Sequence, residues 1–257
     1  MDAPEFSGRR ILVTGAGGGL GRALVGLFSV RGGRIIGVDR DAALLDGLPL
    51  DERITFDLAD RNATLAASAA LAAPDRVPDV LICNAGWTRA ETLADLTPEK
   101  AMAEIDLNLT ATTAFTTAIA AAMAARGNGS IVFISSVNAF LHYGNPAYAA
   151  AKAGLNAFAR ALAVEYGGRG VRANAVCPGS IRTPAWDHRI TRDPTIAEKL
   201  ERLYPMGRIV TAEEVAETVA FLASDRASGI TGVSLAVDAG LSAGNKPFLD
   251  MILGGME

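Results

Sequence analysis

Metal and disulfide chemistry have little to work with in this chain, which carries two cysteines, Cys83 and Cys177, and two histidines, His142 and His188, in 257 residues. No CxxC spacing occurs, and no compact zinc cluster can be written from so few ligands. Both cysteines close apolar, strand-like runs and read as core residues, which fits a reduced, cytoplasmic compartment. Basic charge is also scarce. A net charge of -4 argues against a nucleic acid or other polyanion as partner, and no block of like charges suggests a tail. The opening Met1-Asp2-Ala3-Pro4-Glu5 lacks the basic start and apolar core of a secretory signal. No long hydrophobic run is present either. The most apolar stretch, Ala111 to Ala125, is rich in Ala and Thr and falls short of the roughly 20 residues that span a bilayer, so it reads as a buried helix rather than a membrane segment. Low-complexity linkers and internal repeats are absent.

What is present is apolar material in a regular alternation. Half the residues are hydrophobic, enough for a full core. Short β-rich runs at Arg10–Thr14, Arg34–Asp39, Arg53–Asp57, Val80–Cys83, Ser130–Ser135, Val171–Val176 and Ser234–Val237 predict seven strands. Helical patterns fall between them, at Leu20 to Arg31, Asn62–Ala73, Pro98 to Arg126, Pro146 to about Tyr166 and Glu213–Ala223. Continuous apolar strands alternating with helices indicate βαβ units and a sheet covered on both faces. The expectation is α/β: a doubly wound, seven-stranded parallel sheet with helices on both faces, forming one domain over 1–257. Residues from about 183 to 205 are polar, carry Pro184 and Pro194, and read as an insertion over the C-terminal edge of the sheet, a common place for a substrate lid.

The first strand runs straight into Thr14-Gly15-Ala16-Gly17-Gly18-Gly19-Leu20-Gly21 and then a helix. Glycines let the backbone turn tightly and approach a ligand. A helix N-terminus presents free N–H groups and a positive dipole to a phosphate. The spacing is T-G-x-x-x-G-x-G rather than G-x-G-x-x-G, because the sixth position counted from Gly15 is Leu20. Between a first strand and a first helix, such a loop points to a dinucleotide. Asp39 ends the second strand about 20 residues on, where an acidic side chain binds the adenosine ribose hydroxyls. Its carboxylate would repel a 2′-phosphate, whereas the adjacent Arg40 could pair with one. With no basic residue inside the glycine loop, the balance predicts NAD, with NADP the less favoured cofactor.

Tyr148 and Lys152 stand four apart, just after Asn145-Pro146. Asn is a favoured N-cap and Pro a favoured first helical residue. Tyr148 is therefore predicted in the first turn of a helix, with Lys152 on the same face. A free phenol ionises near pH ~10. A nearby cation and the positive helix end both stabilise the phenolate, so the arrangement suits a tyrosine that accepts and returns a proton. The other tyrosines lack the pairing: Tyr143 and Tyr166 are followed at i+4 by Ala147 and Gly170, and Pro205 and Gly207 interrupt Tyr204 and Arg208.

With the glycine loop, the acid and the Tyr–Lys pair in register, the chain resembles the short-chain dehydrogenase/reductase family from about Ser7 to Gly244. The resemblance implies a Rossmann-type fold and hydride transfer between an alcohol carbon and the nicotinamide. It assigns Gly15, Gly18, Gly19, Leu20 and Gly21 to the cofactor loop and Asp57-Leu58 to adenine. Asn84-Ala85-Gly86 resembles the family's N-A-G turn. Pro178, Gly179, Ile181 and Thr183 resemble the segment that touches the nicotinamide carboxamide. Tyr148 is implied as general base. Lys152 would lower its pKa and bind the nicotinamide ribose, Ser136 would bind the reacting oxygen, and Asn108 would hold a water in a relay to Lys152. One departure stands out: Ser136 lies one residue nearer Tyr148 than the family spacing, which Ser135 keeps. Alignment to the strand end favours Ser136, and strand alternation lets only one of the two face the cleft.

The pocket candidates are Trp87, Asn138, His142, Trp186, His188 and Arg189. Their mixture of rings and donors suits a small hydroxylated molecule: a sugar, polyol, hydroxy acid or cyclic alcohol, or the matching carbonyl compound. The Ala/Thr-rich helices around Thr110–Ala125 and Ala147–Leu162 resemble those the family pairs across a twofold axis, implying a homotetramer or homodimer. The reading that follows is an NAD-dependent secondary-alcohol dehydrogenase. The alternatives are an NADPH-dependent 3-oxoacyl thioester reductase and a catalytically silent NAD-binding regulator.

Overall fold

The computed structural model describes residues 4–88, 92–182, 191, 193 and 195–254. The strands are β1 (Arg10–Thr14), β2 (Arg34–Asp39), β3 (Glu52–Thr55), β4 (Val80–Cys83), β5 (Gly129–Ile134), β6 (Val171–Pro178), β7 (Ile181–Arg182), β8 (Val210–Thr211) and β9 (Ser234–Val237). Seven of them form one sheet in the order β3-β2-β1-β4-β5-β6-β9, and every pairing is parallel. The chain winds outward from β1 to β3, then crosses back to place β4 on the other side of β1. That reversal opens a crevice at the carboxyl ends of β1 and β4, the usual ligand position in such sheets.

Parallel connections need crossovers, and these are α1 (Gly19–Val30), α2 (Arg61–Leu71), α3 (Pro98–Ile105), α4 (Thr112–Arg126), α5 (Pro146–Tyr166), α6 (Ile196–Glu201) and α7 (Ala212–Ala223), followed by α8 (Lys246–Ile252). Successive strand residues point to opposite faces, and here both faces are dry. Val13, Ile82 and Val132 pack against Phe28 of α1 and Val215 and Val219 of α7. Their neighbours Leu12, Leu81 and Phe133 pack against Phe115 and Ile119 of α4 and Leu155 of α5. Burial on both sides explains why these strands read as continuous apolar runs instead of alternating ones.

Three features depart from the sequence expectation. The third strand was expected over Arg53–Asp57 but ends at Thr55, leaving Phe56, Asp57 and Leu58 as a loop at the crevice. The short parallel pair β7–β8 was not foreseen; two residues each carry no readable period. The Pro98 to Arg126 region is one helical rod of 29 residues whose middle, Asp106–Ala111, is a π-helix. By length and hydropathy alone this rod could cross a membrane, yet half of its most apolar window is buried inside the protein. A core helix meets the same test, and α4 packs on the sheet.

Thr14 joins the two strand ends that flank the crevice. Its hydroxyl, 2% exposed, accepts the N–H groups of Asn84 (3.0 Å) and Ala85 (3.1 Å). The Asn84 amide in turn donates to the carbonyls of Thr14 (3.1 Å) and Gly15 (3.0 Å). A Thr14→Val variant leaves two N–H groups without a partner and is expected to lose about 1–3 kcal/mol of stability. Urea unfolding measures it, and an unchanged midpoint would refute this role.

Candidate active site

The crevice is a cleft of about 1160 Å³ bounded by the ends of β1, β2, β4, β5 and β6. That is room for a dinucleotide and a small molecule together. Gly15, Gly18, Gly19 and Leu20 line it at one end. The N-cap of α1 is Gly18, which supplies no side-chain cap, and the first turn carries no acidic residue. Its N–H groups are thus left for an anion, and a diphosphate fits them. Gly15 needs its left-handed φ of 64°. Gly21 does not face the cleft as expected. A Cβ there would collide with the Gly15 carbonyl, so Gly21 is what lets α1 press against the loop from behind.

Asp39 stands at the end of β2, 9% exposed. Its Oδ2 accepts the Gly17 N–H at 2.9 Å and its Oδ1 accepts the Arg40 N–H at 2.8 Å. The carboxylate pins the loop and also borders the cleft, where Arg40, Asp57 and Leu58 join it. Sequence inspection missed a cation here. Arg22, on the first turn of α1, folds back so that Nε donates to the Gly17 carbonyl (2.9 Å) and a terminal nitrogen donates to Leu44 (2.6 Å).

At the other end of the cleft stands Tyr148, on the first turn of α5. Ser136, just beyond β5, lines the same end of the cleft. Burial pushes the phenol up to about 12; Ser136 opposes the rise, and Cys177 and Glu104 add to it. Lys152 is not among the groups that shift the phenol in this state. The Lys152 amine lies 5.4 Å from the ring centre, donates to the Ile134 carbonyl at 2.8 Å and is only 3% exposed. Burial pulls that amine down to about 8. Desolvation therefore dominates both groups in this state. Lys152 also sits behind the cleft wall rather than on it, because a Cβ at Gly86 would stand 3.3 Å from its Nζ and 2.6 Å from Asn108 Oδ1. Only glycine lets these two groups come so near the cleft.

The two serines part company. Ser136 borders the cleft, and its Oγ accepts the Asn138 N–H at 3.2 Å. Ser135 turns inward and donates to the Lys152 carbonyl at 3.0 Å. Asn108 is fully buried in the π-helical turn. Its Oδ1 accepts the Trp87 N–H at 3.2 Å, and its Nδ2 donates to the carbonyls of Trp87 (2.7 Å) and Glu104 (2.8 Å).

Other expected residues are dispersed. Asn84, Ala85, Gly86, Trp87, Asn138, Gly179 and Ile181 line the cleft; Pro178 ends β6 and does not. His142 is exposed and does not line the cleft, while its neighbour Tyr143 does and donates to the Leu241 carbonyl at 3.1 Å. Thr183, Trp186, His188 and Arg189 lie outside the described residues. Of the expected lid, Leu200, Leu203 and Tyr204 border the cleft. Tyr204 was set aside in the sequence for want of a helical partner. It is 1% exposed, and its hydroxyl accepts the Ser180 N–H at 2.8 Å, fixing the β6–β7 turn. No local pattern announces that contact, which spans 24 residues.

Gly21→Ala is expected to abolish dinucleotide binding by forcing the Gly15 carbonyl out of place. Calorimetric titration with NAD and NADP checks it, and wild-type affinity for either would refute the packing argument.

Comparison with known proteins agrees with this fold. Residues 15–242 match the family model described as enoyl-(acyl carrier protein) reductase. A solved oxidoreductase of the short-chain dehydrogenase/reductase family from Burkholderia thailandensis is 42% identical, superimposes with a TM-score of 0.90, and the match covers 96% of this chain and 98% of that one. The 3-oxoacyl-[acyl-carrier-protein] reductase of Escherichia coli is 36% identical over 92% of this chain and 98% of its own. A Beutenbergia cavernae structure, described as an NAD(P)-dependent gluconate 5-dehydrogenase with NADP bound at low occupancy, is 34% identical with a TM-score of 0.86, covering 95% of this chain and 100% of that one. The chain belongs to the short-chain dehydrogenase/reductase family and is an NAD(P)-dependent oxidoreductase.

Proposed function

We propose that this protein is an NAD-dependent dehydrogenase that oxidises a secondary alcohol of a small hydroxylated molecule, with Tyr148 as the proton-transfer group. The observation that carries the reading is that Tyr148 and Ser136 together line one end of a cleft whose other end is an uncapped helix N-terminus. When bound, the nicotinamide accepts or supplies the hydride, and its oxidised form adds positive charge beside the phenol. Tyr148 removes the hydroxyl proton in oxidation and returns it in reduction. Ser136 holds the reacting oxygen and stabilises charge that develops on it. Lys152 keeps a cation behind Tyr148 and would hold the ribose of the nicotinamide. Asn108 borders the same point above Gly86 as Lys152, which suits a water relaying protons to that amine. Trp87, Asn138, Tyr143 and Tyr204 give the substrate end its rings and polar edges.

Asp39 supports NAD, since its carboxylate borders the adenosine end and disfavours a 2′-phosphate. A second reading has a specific observation behind it. Arg40 lies on the same wall and Arg22 lies across the loop. The Beutenbergia cavernae structure holds NADP at low occupancy, and the E. coli relative is a 3-oxoacyl-[acyl-carrier-protein] reductase. An NADPH-dependent reductase of that type is the alternative. In either case we read the assembly as a homo-oligomer acting in the cytoplasm.

Tyr148→Phe is expected to lower kcat by roughly 10²–10⁴ while leaving dinucleotide affinity in place. A variant that keeps most of its turnover would sink the assignment. Ser136→Ala is expected to lower kcat strongly and Ser135→Ala only weakly; the reverse order would exchange their roles. Because burial holds the free phenol near 12, alcohol oxidation is expected to rise with pH and carbonyl reduction to fall. NADH formation at 340 nm across sugars, polyols and cyclic alcohols, run beside NADPH consumption on a 3-oxoacyl thioester, separates the two readings.

A further inference from the structure

A second acidic group bears on Tyr148, and it comes from a different helix. Glu104, on the last turn of α3, is completely buried. Its Oε2 accepts the backbone N–H of Tyr148 at 3.1 Å, and its Oε1 accepts the Thr88 hydroxyl at 3.1 Å. Tyr148 is the third residue of α5, the position whose N–H an N-cap side chain normally takes. Asn145 occupies the N-cap but cannot do this. It adopts a left-handed φ of 51°, makes no side-chain cap bond, and turns its amide toward Thr88 at 3.1 Å. The cap is therefore supplied from 44 residues away. One turn further along the same rod, Asn108 holds both backbone groups of Trp87. The α3–π junction thus grips the loop after β4 and the first turn of α5 together.

We propose that Glu104 is a positioning residue for the proton-transfer step: it fixes the Tyr148 backbone against the cleft and places a carboxylate behind the phenol. This rests on Tyr148 being the proton-transfer group. A buried carboxylate at a helix N-terminus is held by the dipole and the N–H groups it accepts. Its contact with the residue that carries the phenol makes the geometry of α5 dependent on α3. Among the described residues, the titratable groups that act on the phenol are Glu104 from α3 and Cys177 from β6. Lys152 lies one turn along α5, and Cys83 of β4 faces Lys152.

The test compares Glu104→Val with Glu104→Gln, using Tyr148→Phe as the reference for the underlying reading. The Val variant loses the acceptor and is expected to lose about tenfold in kcat at equal folded fraction, with KM for the dinucleotide within about twofold of wild type. The Gln variant keeps an acceptor for the Tyr148 N–H and is expected to restore most of kcat. Its pH profile for oxidation should move to lower pH by about half a unit, because a negative charge that raises the phenol has been removed. Wild-type kcat in the Val variant overturns the proposal, and so does an unmoved pH profile in the Gln variant. If the Val variant does not fold, the Gln profile decides alone. A Tyr148→Phe enzyme with retained turnover would instead sink the proton-transfer reading itself, so the two failures are distinguishable.

Discussion

Desolvation of a phenol and an amine one helical turn apart sets the terms for everything else in this protein. Water stabilises either charge, and α5 takes the Lys152 amine out of it and leaves Tyr148 half-buried at the cleft wall. In that setting Tyr148 is held as neutral phenol, while Lys152 is brought down to about 8. Neither result follows from the spacing of the two residues, which by itself predicts mutual stabilisation of the charged forms. Burial wins because the Lys152 amine is enclosed at 3% exposure and does not appear among the groups that shift the phenol, whose ring centre is 5.4 Å away. If Tyr148 is the proton-transfer group, as proposed, its phenolate would draw on charge brought by whatever occupies the cleft. An oxidised coenzyme would bring such charge, and on the proposed reading proton transfer would then be coupled to cofactor occupancy.

Much of this was legible in the sequence where one residue type met one local requirement. Strands buried on both faces announce themselves as β2 and β4 do, by unbroken apolar runs, and both were placed to the residue. Pro146 marked the start of α5 because its fixed φ suits that position and its missing N–H costs nothing there. What stayed hidden depends on partners far away in sequence. The role of Glu104 rests on contacts with Thr88 and Tyr148, 16 and 44 residues off, and nothing on its own helix hints at them. Asn145 marked the right boundary for the wrong reason, since its side chain leaves the cap to Glu104. The π-helical turn at Asp106–Ala111 adds a residue to the rod and so sets where Asn108 points; composition carries no sign of it.

The serine pair shows how a shift of one residue is resolved by packing. Ser135 and Ser136 are adjacent and chemically equal, so spacing arguments favour one or the other according to the landmark chosen. The strand ends at Ile134, and the pleat then sends the two side chains opposite ways. Ser135 closes a bond onto the backbone of α5 beneath Lys152, and Ser136 opens onto the cleft. The inward serine is not idle, because it anchors the helix that carries the tyrosine and lysine.

Cofactor preference is bound up with loop geometry in a way that a single acidic residue conceals. Asp39 reads as a ribose acceptor that excludes a 2′-phosphate. Both of its oxygens are nevertheless engaged by backbone N–H groups, one of them from Gly17 inside the phosphate-binding loop. Arg22 braces the carbonyl of that same glycine from the other side. Each oxygen retains a lone pair for a ribose hydroxyl, so holding the loop and reading the sugar are compatible duties of one side chain. They are not separable ones. Removing the carboxylate to admit a 2′-phosphate also frees the Gly17 N–H and slackens the turn over which the diphosphate must lie. If Asp39 selects the dinucleotide, as proposed, the same side chain also shapes its cradle, and a change of preference would have to rebuild the Gly17 anchor as well as reverse a charge.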